Sequence, residues 1–170
     1  MKTKLILYFF ISFSITSYSQ TSNANNSALQ IEIKKQANEM GDAFIKGDYK
    51  SFVKFTYPKL IQLMGGESKM IATLTKTIND TKSQGVSFLG VTFDNPTKII
   101  KVKNELQCTI VQHLAAHVPN GNTTSSSTLI GISLDNGKKW YFIDSTNKTN
   151  AQMKQLLPNL SPEIILPKKN

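Results

Sequence analysis

Residues able to do chemistry are few in this 170-residue chain: two His, one Cys, 11 acidic side chains and five Tyr. Histidine as a residue type has an ordinary pKa near neutrality, so His113 could act as a general acid or base, or sit as a half-buried or surface histidine. Asp144 closes the apolar segment 140–143 and shares strand parity with Trp140 and Phe142. On a pocket face its carboxyl would have a raised pKa and serve as a base for proton transfer. At a strand end it would instead begin a turn or cap the stretch 145–147. Tyr57 precedes Pro58 and follows Phe52 and Phe55. Its phenol could reach a pocket mouth as a hydrogen-bond donor, or pack at a kinked helix.

Other chemistries find less support. Cys108 lies in the β-rich run 106–111, where a lone thiol is a small buried hydrophobe; as a nucleophile it would need an activating partner, and His113 has the opposite strand parity. His113 and His117 share parity, but four residues of strand hold them about 13 Å apart, too far for one metal ion. No metal or cofactor is therefore expected. The chain has no Gly-rich phosphate loop, no Gly-x-Ser-x-Gly elbow, no His-Glu-x-x-His and no paired cysteines.

Composition narrows the partners. The formal charge is +9, all 20 basic residues are Lys, and Arg is absent. Forked, bidentate recognition of phosphate or guanine needs Arg, so the scattered lysines read as a solvated surface and nucleic acid is not an expected partner. Lys2 and Lys4 precede an apolar run over 5–15, and Ser17 and Ser19 flank Tyr18 as a signal peptidase requires. Residues 1–19 are read as a signal peptide cleaved after Ser19. The run is shorter than the ~20 residues of a membrane span, and no Cys lies near the cleavage point to carry lipid. The protein is thus expected to be exported to a periplasm or the extracellular space, not as a lipoprotein and with no membrane span after cleavage.

The elements that must position these residues follow from periodicity. Residues 20–27 read as a polar tether ending in Ser27 as a helix cap. Leu29, Ile33, Ala37, Met40 and Phe44 then recur at helical spacing until Gly47. Asp48 caps a second helix ending at Gly65-Gly66, which Pro58 should bend or split near Tyr57. Met70, Ile71, Leu74 and Ile78 mark a third, closed by Gly85. The period then drops toward two, predicting strands over 86–93, 99–102, 106–118, 124–134 and 139–144 as an antiparallel meander. A short helix over 151–157 and a Pro- and Lys-containing tail, 158–170, complete the chain, so 28–157 reads as one domain. The fold class is α+β, three N-terminal helices covering one face of a curved antiparallel sheet of four to five strands.

This order of helices and then meander, over roughly 28–146, resembles the NTF2-like or SnoaL-like superfamily; a cystatin-like roll is the alternative. The resemblance implies a bent sheet wrapped on helices as a cone with an internal pocket. Phe52, Trp140 and Phe142 would line that pocket. Ser133-Leu134-Asp135-Asn136-Gly137-Lys138-Lys139-Trp140 also resembles the Asp-box hairpin, with Lys139 in place of Thr. That resemblance implies an Asp bonded to turn amides and a Trp packed beneath. The favoured expectation is a non-catalytic exported domain binding a small apolar ligand or a protein partner. The alternatives are an isomerase- or dehydratase-type enzyme using His113, Asp144 and Tyr57 together, and a structural homodimer assembled through the sheet.

Overall fold

A computed structural model describes residues 19–167; the expected signal peptide lies, but for its last residue, outside them. The chain is α+β. Helices α1 (Ser19–Lys46), α2 (Tyr49–Val53), α3 (Pro58–Leu63) and α4 (Glu67–Ser83) precede strands β1 (Ser87–Phe93), β2 (Ile100–Val102), β3 (Glu105–Val118), β4 (Gly121–Ser133) and β5 (Tyr141–Asp144), followed by α5 (Asn150–Leu156). None of the described helices is long and apolar enough to cross a membrane. Helix α1 starts before Ser27, so the stretch expected as a tether continues the helix and Ser27 does not cap it.

Four helices, not three, precede the sheet. Asp48 caps α2 by accepting the Ser51 amide at 3.0 Å. Lys54 ends that turn, and Pro58 starts α3 at its first position, where a missing N–H costs nothing. Proline therefore splits the expected second helix. The link between the pieces has a sheet role: Phe55 O accepts the Phe142 amide at 2.7 Å, and Thr56 bridges Phe142 in parallel. That covers the outer edge of β5.

The sheet is antiparallel with strand order β1-β3-β4-β5, and β2 pairs with β3 on the side that β1 occupies. The expected meander is corrected here. β1 and β2 do not form a hairpin; they pair with successive parts of β3, at 112–117 and 105–107. Asn95-Pro96 interrupts one edge lane rather than reversing the chain, since Pro cannot donate to the ladder. Asp94 N still reaches Val111 O and Thr97 N reaches Thr109 O, so the lane stays in register across the break.

Two buried clusters lie on opposite faces of the sheet. On the first face Ile33, Ala37 and Met40 of α1 meet Cys108, Ile110, Leu129, Trp140 and Phe142. On the second, Ile130, Ile132 and Ile143 meet Met153 and Leu157 of the α5 region and Leu160, Ile164 and Leu166 beyond it. Helices were expected on one face only; the tail residues supply the second cover. Gln107, fully buried, fixes them: its Oε1 accepts the Ser161 amide at 2.9 Å and its Nε2 donates to Asn159 O at 3.0 Å. Helix α5 starts from a reciprocal capping box between Thr149 and Gln152.

Candidate functional site

A cavity with a largely apolar wall lies between α1 and the first face of the sheet. Met40, Gly41 and Phe44 of α1, Phe52 of α2 and Thr56 form one side; Val91, Gln112, Leu114, Leu129, Phe142 and Asp144 form the other. Its volume is ≈ 160 Å³. Strand parity explains the lining: Gln112 and Leu114 continue the Cys108, Ile110 row of β3, and Phe142 and Asp144 continue the Trp140 row. At Gly41, one of the lining residues, α1 packs closely on β1. A Cβ there would stand 3.0 Å from Phe93 Cε2 and 3.2 Å from Val91. Beyond it Phe44 leaves the sheet core to meet Phe52 and Phe88, with ring centroids 5.9 and 5.2 Å apart.

Of the residues singled out from the sequence, Phe52, Phe142 and Asp144 line this cavity. Asp144 is exposed, and its Oδ1 also accepts the Thr146 amide at 2.7 Å. It is thus a turn-forming residue at the cavity wall. Trp140 does not line the cavity; it is 0% exposed, within the α1-facing core.

His113 and Tyr57 lie elsewhere. His113 falls on the opposite face of β3 from Gln112 and Leu114. Its Nδ1 is 2.8 Å from Ser126 Oγ and its Nε2 is 3.1 Å from Asp94 Oδ1, so the imidazole ties the end of β1 to β4 across β3. Tyr57 packs against the second-face cluster and stands edge-on to Tyr141 at 6.5 Å. Partial burial, followed by the charge of Glu105, raises its phenol pKa and keeps it protonated. Convergence of His113, Asp144 and Tyr57 on one substrate was the requirement of the acid–base reading. Only Asp144 lies at the first-face cavity, whereas His113 and Tyr57 are on the side of the second face, held by separate partners, so the structure does not assemble that set.

The remaining candidates have structural explanations. Burial pushes the Cys108 thiol up to about 12, and the side chain is 0% exposed beside Gly131. That removes the thiolate a nucleophile requires. His117 is held through Nδ1 to Asn122 Oδ1 at 2.9 Å, a different partner from those of His113. Among the described residues no three His, Cys, Asp or Glu side chains gather as a metal site.

The hairpin 133–140 is built on Asp135. Its Oδ1 accepts Ser133 Oγ at 2.8 Å and the amides of Lys138 and Lys139 at 3.1 and 2.9 Å. These bonds, led by the Lys139 amide, hold its carboxyl below the usual range. Gly137, at φ 90°, donates to Ser133 Oγ at 2.8 Å, and a Cβ there would run into Leu29 of α1. Trp140 Nε1 donates to Gly137 O at 3.1 Å. Gln36 of α1, only 5% exposed, completes the joint: its Oε1 accepts the Trp140 amide and its Nε2 donates to Lys138 O, both at 2.9 Å. Lys139 lays its ammonium 3.7 Å from the centroid of the Phe55 ring. Burial is the main cause lowering its pKa.

Sequence reading missed Met40, Phe44, Thr56, Val91, Gln112, Leu114 and Leu129 as cavity residues. The even-numbered row of β3 carried the signal, continuing Cys108 and Ile110 toward Leu114. It was masked because β3 alternates little: both faces of its first half are covered, so apolar residues occur at both parities. No protein-family model matches the chain, and no curated protein matches it.

Proposed function

We propose that the protein is an exported, non-catalytic α+β domain that holds a small apolar or amphipathic ligand between α1 and the sheet. The observation that carries this reading is the ≈ 160 Å³ cavity, walled by aliphatic and aromatic side chains with Thr56, Gln112 and Asp144 as its polar groups. A few convergent polar groups in an apolar wall is the usual composition of a small-molecule site. A void of about 150 Å³ is enough for a single aromatic ring. The ligand class is therefore a molecule of about one ring or a short alkyl chain, its polar end at Asp144. The NTF2-like resemblance, which implies a pocket between helices and a bent sheet, supports the same reading. The leader-like segment 1–19 supports export. Fold analogy alone assigns no chemistry.

Native mass spectrometry of protein purified from an exporting host tests the proposal, with benzyl alcohol added as a defined probe. The expected result is an added mass lost on denaturation, or probe-induced NMR shifts at Leu114, Leu129 and Phe142. Leu114→Trp, which fills the cavity, should abolish either signal, while Leu134→Trp on the exposed hairpin should not. A clean apo mass together with no shift at millimolar probe would reject it.

A further inference from the structure

We infer that the open edge of β4 is a self-association surface, on which a second copy of this chain adds its own β4 as an antiparallel strand.

β5 covers β4 only over 129–132. At Thr128 the lane beside β4 is taken by Ser145, whose amide donates to Thr128 O at 3.0 Å and whose Oγ donates to the same oxygen at 2.6 Å. The Asp144–Thr146 turn and Asn147, at φ 60°, then carry the chain away. From Asn122 to Ser127, no described residue pairs with that edge.

The direction of its bonding groups follows from the ladder. Thr128 O faces outward, and the Phe142 amide faces Phe55 instead of β4, so Ile130 and Ile132 are the residues bonded to β5. Even-numbered residues of β4 therefore present N–H and C=O outward. The β3–β4 register is unbroken from Gly121 to Ser133, which extends that parity to Asn122, Thr124 and Ser126.

Edges of this kind are normally blunted by lysine, proline or a bulge. Here Asn122-Thr123-Thr124-Ser125-Ser126-Ser127 has none of these, in a chain with 20 lysines. The whole stretch from Leu106 to Leu134 lacks Asp, Glu, Lys and Arg. That gap in the charge pattern selects the occupant. Two copies of so lysine-rich a chain repel each other wherever their lysines meet. The β3–β4 hairpin lets them approach without that cost and offers a charged partner nothing to pair with.

Geometry sets the register. Only residues bonded outward can pair with each other, and the lane closes at Thr128. The two-fold axis then falls at Thr124, opposing Asn122 to Ser126 of the partner strand and Thr124 to its own copy. Three such pairs give about six main-chain hydrogen bonds.

Sedimentation equilibrium of the protein as purified from an exporting host, from about 1 µM to 0.1 mM, provides the test. The expected result is a monomer–dimer equilibrium in wild type that weakens by about 10-fold or more in Thr124→Lys and in Thr124→Pro. The first places like charges opposite one another on the axis; the second removes an outward N–H while leaving the bonds to β3. Circular dichroism and thermal unfolding identify which variants retain the wild-type fold, and either one suffices. A wild-type monomer throughout, or a dimer unmoved in a correctly folded variant, overturns the inference.

Discussion

Replacing Gln36 by Leu removes the joint between α1 and the 133–140 hairpin while keeping a side chain of similar volume. Three bonds go: Trp140 N–H loses its acceptor at 2.9 Å, Lys138 O its donor at 2.9 Å, and Glu32 Oε1 its partner at 2.7 Å. The Trp140 amide belongs to a residue with 0% exposure, and its bond to Gln36 is buried. An orphaned buried donor costs about 1–3 kcal/mol, and a lost neutral bond about 0.5–1.5 kcal/mol. Burying leucine's apolar surface returns about 1 kcal/mol, leaving a net loss of about 2–3 kcal/mol. For a domain of this size that lowers the midpoint by roughly 5–10 °C. Urea and thermal unfolding of Gln36→Leu beside wild type read it directly. A midpoint within about 1 °C of wild type would refute the reasoning, because it would mean that the Trp140 amide finds another acceptor. Gln36→Glu adds a signed control. Its carboxylate can still accept from Trp140 but faces Lys138 O and Glu32, so its pKa in the fold is raised. Its deficit should be largest at neutral pH and shrink on acidification, as the side chain regains a proton to donate.

The Asp135 carboxyl lies below its ordinary pKa in the fold, so its stabilising effect is present above the unfolded value and is lost as pH falls through the folded one. The wild-type advantage over Asp135→Asn should therefore be visible in thermal melts at pH 7 and vanish toward pH 2–3, the window of about that range following from the ordinary Asp value near 3.9. Cys108, buried and with its thiol raised to about 12, should resist a thiol-specific disulfide reagent in native protein at pH 8 and react on unfolding in urea. Fast labelling without denaturant would contradict its placement. Gln107→Leu should release the tail from the second face of the sheet, costing about 2–3 kcal/mol. Hydrogen exchange should rise first at Ser161 and Ile164, and an unchanged pattern there would argue against the clamp.

Much of the fold was legible because the period of apolar residues changes once, after Gly85. The five strands fall within three residues of their expected limits, since Asn-Gly and Pro-Asn punctuation marks their ends. Pro58 marked the division between α2 and α3. What could not be read was nonlocal. Nothing in Asn95-Pro96 distinguishes an interrupted edge lane from a hairpin, because that depends on which strand β3 takes as neighbour. Leu160, Ile164 and Leu166 are too irregularly spaced to announce a buried segment, and only the uncovered side of the sheet gives them a place. At the site, Phe52, Phe142 and Asp144 were found from parity and aromatic clustering. His113 was chosen for its chemistry alone, and chemistry does not say which face of a strand a side chain takes.

The bond between Gln36 and Trp140 joins residues 104 positions apart, and the buried stripe of α1 rests on strands that lie between 91 and 142. During synthesis α1 therefore emerges long before anything exists to cover Ile33, Ala37 and Met40. Its short turns can form alone, but its packing waits for β5, and the second face waits longer, for residues 160–166. Assembly is consequently late, cooperative and slow for the chain's length, because distant segments must meet before either face gains its burial. The second face therefore stays open to solvent and to other chains until residues 160–166 are available to close it.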